Sequence, residues 1–315
     1  MHKDIKIYIA GHRGLIGSAI YSECHSRGYR NLVVKEHREL DLTDSHAVEK
    51  FFDHNRPDYV FLAAGKVGGI IQNQETPADF LTENLKIQLN VIENAQKFSV
   101  KKLILFGSSC MYPRECLQAM PEDMILTAKP EPTSLPYAMA KLAGLQLCDA
   151  FNRQYGTQFI SVIPNSVFGP FDNFDPKSGH VLSALMRRFH EAKQQRLPYV
   201  ELWGTGSPRR EFVFSSDVAK AVLTIMESDT EHLEGPLNIS SGDEYSIKEL
   251  AEMIQAIVGY DGEIRWDTSK PDGAPRKLLD STRLRTLGWQ PETSFLDGLK
   301  ETYRWYKESY SDASD

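Results

Sequence analysis

Residues 5–17 read IKIYIAGHRGLIG, and the fold is decided there. The first six of these residues, IKIYIA, have the pattern of a buried strand. Gly11, Gly14 and Gly17 follow at GxxGxxG spacing, and apolar or small residues then recur at helical spacing to about position 27. A strand, a glycine turn and a helix in that order bring free backbone N–H groups to a helix N-terminus, where a pyrophosphate can bind. The same glycines anywhere else would read as a structural turn; opening the first strand–helix unit, they read as a phosphate loop.

Working outward, the alternation continues. Strand patterns recur at 31–35, 59–64, 102–106 and 159–163, and helical stripes at 45–54, 79–98 and 137–155. Near-continuous apolar strands separated by helices predict an α/β chain with a Rossmann-type doubly wound parallel sheet, which binds ligands beyond the carboxyl ends of its strands. After about Val167 the rhythm breaks into a Gly/Pro/Asn/Asp loop, followed by helical patterns at 181–193, 216–226, 247–258 and 299–307 and a strand at 199–203. The reading is a dinucleotide-binding domain over 1–168, rejoined by about 214–236. A smaller C-terminal α/β substrate lobe is expected from 169–213 and 237–315.

The 315 residues carry a net charge of −7, which disfavours nucleic acid as a partner. The four cysteines form no CxxC pair and no zinc-spaced cluster, so no metal is expected. The N-terminus has no apolar leader, and no run approaches a membrane span, so a cytoplasmic protein is expected.

Tyr137 and Lys141 stand at YxxxK spacing, on one face of a predicted helix. An ammonium beside a phenol favours the phenolate, and a tyrosine tuned this way can exchange a proton with a carbonyl oxygen during hydride transfer. Ser108, ending the fourth strand, would reach the same oxygen. A second copy, Tyr303 with Lys307, lies in a terminal helix without a strand-end serine and reads as packing. Beyond the second strand lie Glu36, His37 and Arg38. Arg13, inside the glycine turn, and Arg38 could clamp a 2′-phosphate, which points to NADP(H); Glu36, an acid where an NAD site keeps one, is the contrary feature.

Together, the glycine turn, Ser108, Tyr137 and Lys141 resemble the extended short-chain dehydrogenase/reductases. Longer blocks narrow the resemblance: AGHRGLIGSAI, KVGGI, GSSCMYP, PYAMAKLAG, GPFDNFDPKSGHV, RRFHEA, RREF and KPDGAPRKLLD are similar to the branch that processes GDP-linked 4-keto-6-deoxy sugars. The resemblance runs from the first strand nearly to the C-terminus. It implies 3,5-epimerisation and NADPH-dependent 4-reduction of GDP-4-keto-6-deoxy-D-mannose, with Cys110 and His180 as the acid–base pair on carbon. Taken alone, Cys110 would read as a small buried hydrophobe, and His180 as one of nine histidines; Cys24, Cys116 and Cys148 keep a structural reading.

The resemblance also implies cofactor contacts from Gly11, Arg13, Gly14, Leu15, Ile16 and Gly17 and from His37, Arg38, Asp41 and Leu42. Further contacts would come from Ala63 and Ala64, from Lys141 and His180, and from Pro164, Asn165, Ser166 and Val167. It assigns Arg188, Trp203, Arg210, Lys270 and Asp272 to the nucleotide sugar, leaving Arg187 and Arg209 as solvated charges. Two departures stand out: His37 occupies a place where the family often has arginine, and residues 165–168 differ in detail from common family versions. Other GDP-linked keto-deoxy sugars, including a 3,6-dideoxy sugar, fit the same residues. A non-catalytic dinucleotide sensor would not need the full acid–base set. Family members commonly pair through a four-helix interface, so a homodimer through the helices at 79–98 and 137–155 is expected.

Overall fold

The computed structural model describes residues 2–175, 178–230, 232–270 and 272–310; Pro176, Lys177 and Pro271, inside two of the quoted blocks, lie outside them, as do residues 311–315 of the expected second lobe. The chain runs β1 (Ile7–Ala10), α1 (Leu15–Ser26), β2 (Leu32–Val33), α2 (Ser45–Asn55), β3 (Tyr59–Leu62), α3 (Ile70–Glu75), α4 (Pro77–Lys97) and β4 (Lys102–Phe106). Next come α5 (Leu135–Tyr155), β5 (Phe159–Pro164), β6 (Ser166–Phe168), α6 (Val181–Gln194), β7 (Tyr199–Trp203), β8 (Arg209–Phe214) and α7 (Ser215–Glu227). The last elements are β9 (Leu237–Ile239), β10 (Glu244–Ser246), α8 (Ile247–Val258), β11 (Glu263–Asp267), β12 (Arg276–Lys277), α9 (Thr282–Arg285) and α10 (Phe295–Tyr310).

Six strands form one parallel sheet in the order β2-β1-β3-β4-β5-β9. Successive side chains of a strand point to opposite faces. Ile7 and Ile9 therefore pack with Ile20, Val218 and Val222 of α1 and α7, while Tyr8 and Ala10 pack with Phe52, Val91 and Cys148 of α2, α4 and α5. Both faces are covered, which is why the strands carry unbroken apolar runs. The helix ends are specified locally: the Asp44 carboxylate accepts the N–H groups of His46 and Ala47 to start α2, and Gly156 at φ +66° ends α5.

The second lobe is built from β6, β8, β10 and β12, from the parallel pair β7 and β11, and from α6, α8 and α10 around a core that includes Phe168, Phe189, Phe212, Leu250 and Leu299. One expected boundary falls differently. Residues 237–239, assigned from sequence to the second lobe, pair with β5 as the sixth strand of the large sheet. Three residues with no flanking repeat are too short to show a period.

Candidate active site

Gly11 adopts φ +84°, and a Cβ there would stand 2.8 Å from the Ala64 nitrogen at the end of β3. At Gly17 a Cβ would lie 2.1 Å from the Gly11 carbonyl oxygen, so α1 can close on the turn only with glycine. Gly14 is different: a Cβ there would meet nothing nearer than 3.5 Å, so the protein's own packing leaves the space open. Gly14 is exposed and starts α1, as expected where a pyrophosphate approaches backbone. Leu15 and Ile16 form the first turn of that helix. Ala63 and Ala64 back the loop, and Pro164, Asn165, Ser166 and Val167 lie at the carboxyl end of β5 and the start of β6. The expected cofactor residues thus line the carboxyl edge of the parallel sheet, and they fit a dinucleotide.

The part of that edge beyond β2 is charged. Arg13 and Arg38 do not stand free: their guanidiniums lie 2.6 and 2.8 Å from the two carboxylate oxygens of Glu36. Asp41 accepts bonds from the Thr43 N–H and hydroxyl, which holds its carboxyl below the usual range, with His37 adding to the effect. Leu42 is buried, and its carbonyl receives the Asn90 amide of α4 at 2.9 Å.

The residues expected to transfer protons converge. Ser108 ends β4 and caps the short 3₁₀ helix Ser109–Met111, its hydroxyl oxygen accepting the Cys110 N–H at 3.2 Å. Lys141 is buried and donates to the Phe106 carbonyl at 2.9 Å, with Nζ 5.7 Å from the centre of the Tyr137 ring. Phe80 of α4 packs edge-on against Tyr137 with ring centres 6.2 Å apart. Burial pushes the Tyr137 hydroxyl up from its ordinary value; the neighbouring Cys110 adds to this, and the Ser108 hydroxyl bonded to it pulls the other way. Burial pushes the Lys141 ammonium down to about 8. The Tyr137 shift thus runs opposite to the direction expected from an adjacent ammonium, and burial is its largest cause.

His180 precedes α6 and is exposed. Beneath it lies Asp172, a buried carboxylate that takes the Asn173 N–H at 2.7 Å and the Ser183 hydroxyl. Burial raises Asp172 above the usual carboxylate range; the Ser183 bond and the charge of His180 oppose this. The loop after β3 runs between α4 and the segment that leads into α6. Asn84 brackets Lys66 through both its N–H (3.1 Å) and its carbonyl (3.0 Å), and the Gly69 N–H donates to the Ser178 carbonyl at 3.2 Å. Asp172 and Asn84 were not apparent as site residues from sequence. An Asp in a loop and an Asn in a long helix carry no spacing signal; Asp172 falls inside the quoted block at 169–181, and Asn84 in none.

The expected substrate residues fall into contrasting pairs. Arg187 is tied to Glu191 at 2.6 Å, whereas Arg188 donates only to the Glu201 carbonyl among the described bonds. Arg209 is paired with Glu244 and Glu249; Arg210 is half-buried, has no carboxylate partner among the described residues, and burial lowers its pKa. Arg188 and Trp203 line an open cavity of about 330 Å³ with Gln195, Tyr199 and Glu201. Lys270 lies 5.7 Å over the Trp203 ring, while Asp272 accepts the Thr205 N–H at 2.9 Å and so shapes the turn after β7. Tyr303, the second YxxxK tyrosine, is buried against His190, its hydroxyl 2.9 Å from Nδ1. Cys24 and Cys148 are buried thiols pushed up to about 12, and Cys116 bonds the Pro113 carbonyl. Among the described residues no cluster could hold a metal ion, and no helix is long and apolar enough to cross a membrane.

Comparison with known proteins adds three findings. The family model "NAD dependent epimerase/dehydratase family" matches residues 7–240. GDP-L-fucose synthase 1 of Arabidopsis thaliana is 51% identical over 96% of this chain and 94% of its own length, and GDP-L-fucose synthase of Escherichia coli K12 is 47% identical over 96% and 97%. Among solved structures, a GDP-D-glycero-L-gluco-heptose synthase from Campylobacter jejuni, determined in the presence of NADPH, has 38% identity and a TM-score of 0.91 over 98% of this chain and 99% of that one.

Proposed function

The chain belongs to the NAD dependent epimerase/dehydratase family, and within it we propose that it acts as a GDP-L-fucose synthase, converting GDP-4-keto-6-deoxy-D-mannose to GDP-L-fucose with NADPH. The observation that carries this reading is one cluster holding Ser108, Cys110, Tyr137 and Lys141 together; His180, beside the buried Asp172 at the start of α6, is the second group it calls on.

The C4 ketone acidifies the hydrogens on C3 and C5. Cys110 and His180 remove each proton as an enolate forms and return one to the opposite face, with Ser108 holding the oxygen. NADPH, when bound, supplies the hydride that reduces C4. Tyr137 then donates its proton to the C4 oxygen, and its raised pKa keeps that proton in place at neutral pH until the oxygen becomes basic. Lys141, still an ammonium at pH 7, offsets the charge left on the phenolate. Arg188 and the half-buried Arg210 suit the diphosphate, since a guanidinium fork matches phosphate oxygens. The four free thiols support a cytoplasmic setting. Leu89 of α4 and Leu135 and Met139 of α5, one turn apart, are exposed on adjacent helices, which supports a homodimer paired through α4 and α5.

The division of labour is testable. In D2O, the Tyr137→Phe variant should still exchange the C3 and C5 hydrogens of the keto sugar while losing about 10²–10⁴ in reduction rate. Cys110→Ser and His180→Gln should lose the exchange. Exchange surviving in both would remove the epimerase half of the reading. The likeness to a heptose synthase favours one alternative, a GDP-linked 4-keto heptose as substrate, and product identification separates the two.

A further inference from the structure

Glu36 combines two features that cofactor sites ordinarily keep apart. An acid near the end of the second strand bonds the ribose hydroxyls of NAD, whereas an arginine nearby accommodates the 2′-phosphate of NADP. This chain has both, and they are bound to each other. Arg13 reaches from the glycine turn and Arg38 from beyond β2, and each guanidinium meets a different oxygen of the same carboxylate, at 2.6 and 2.8 Å. The Glu36 side chain is only 20% exposed, while those of Arg13 and Arg38 are 71% and 81% exposed. The acid is thus the sheltered partner, and the arginines lie over it on the solvent side. Glu39, the other carboxylate beside it, accepts the Glu36 N–H at 2.9 Å. Lys35 pairs with Glu39 at 3.0 Å, and His12 is pushed below its ordinary pKa mainly by burial.

Resting on the cofactor reading above, we propose that Glu36 sets the cofactor choice of this chain, making its site accept NADH alongside NADPH. A 2′-phosphate must draw Arg13 and Arg38 off Glu36 and then lies near a carboxylate of like charge. A 2′-hydroxyl leaves both arginines where they are and donates to the carboxylate they hold. The carboxylate therefore weakens the phosphorylated cofactor and strengthens the plain one.

Calorimetric titration of the full chain with NADPH and with NADH, in the wild type and Glu36→Gln, tests this without any turnover. The wild type should bind NADH within about tenfold of NADPH. Glu36→Gln should tighten NADPH and weaken NADH, widening the ratio by about tenfold or more. Glu36→Ser, which also removes the charge, should move both affinities in the same directions. A ratio unchanged in both variants, or both cofactors weakened together, overturns the proposal while leaving the enzyme reading intact. If the wild type binds neither cofactor, the cofactor reading itself fails.

Discussion

At the residue scale, the site is governed by desolvation. Tyr137 is raised and Lys141 lowered by the same burial, so the pair holds one proton on the phenol and a weakly held one on the amine. Lysine's folded pKa of about 8 lies below its ordinary 10.5, so its charge is present below about pH 8 and is lost as the pH rises through that value. The reduction rate should therefore fall above about pH 8, and a pH profile of kcat/KM that stays flat to pH 10 would contradict the assignment. The linked stability runs the opposite way: burying the charged form costs stability below pH 8, and that cost fades between pH 8 and 10.5. Ser108, Tyr137 and Lys141 were legible because strand-end and i, i+4 spacing are local, whereas Cys110 and His180 were marked only by the family resemblance. The direction of the Tyr137 shift was not legible, because burial is set by Phe80 and other residues remote in sequence. Asp172 stayed hidden for the same reason, since its link to Ser183 spans the loop that leads into α6.

At the element scale, the glycine turn separates what folding needs from what a ligand needs. Gly17→Ala places a methyl 2.1 Å from the Gly11 carbonyl and should lower the melting temperature and abolish NADPH binding together. Gly14→Ala meets only a 3.5 Å contact, so the melting temperature should stay within a degree or two (about 0.5 kcal/mol) while NADPH binding weakens by tenfold or more. Equal losses in the two variants would show that Gly14 serves the fold rather than the pyrophosphate. Long strands and helices announced themselves by period: β4, β7 and α8 fall on the predicted residues, and α4 and α5 begin two residues early. The rest was too short or too abrupt. β12 has two residues, β9 and β10 have three each, and β8 runs into α7 with no loop to punctuate it.

At the scale of the whole molecule, one buried carboxylate fastens the two lobes. Glu211 of β8 is fully buried and accepts the Asn165 amide at 2.7 Å from the end of β5, the Gly242 N–H at 3.0 Å and the Ser240 hydroxyl beyond β9, and the Leu279 N–H at 3.2 Å beyond β12. Its neighbour is Arg210, so the carboxyl edge of the large sheet and the cation proposed for the diphosphate are held in register by adjacent residues of one strand. Replacing it with Gln turns an amide donor toward donors. Glu211→Gln should cost about 2–4 kcal/mol in urea unfolding and weaken both NADPH and GDP binding. Normal binding of either ligand would show that the contact serves stability alone. The same account fixes the expected chemistry of the intact protein. Incubated in D2O with NADPH and GDP-4-keto-6-deoxy-D-mannose and followed by absorbance and NMR, it should oxidise one NADPH per sugar and yield GDP-L-fucose deuterated at C3 and C5. Bound NADPH that is not oxidised, or a reduced product that keeps the original hydrogens and configuration at C3 and C5, would contradict it.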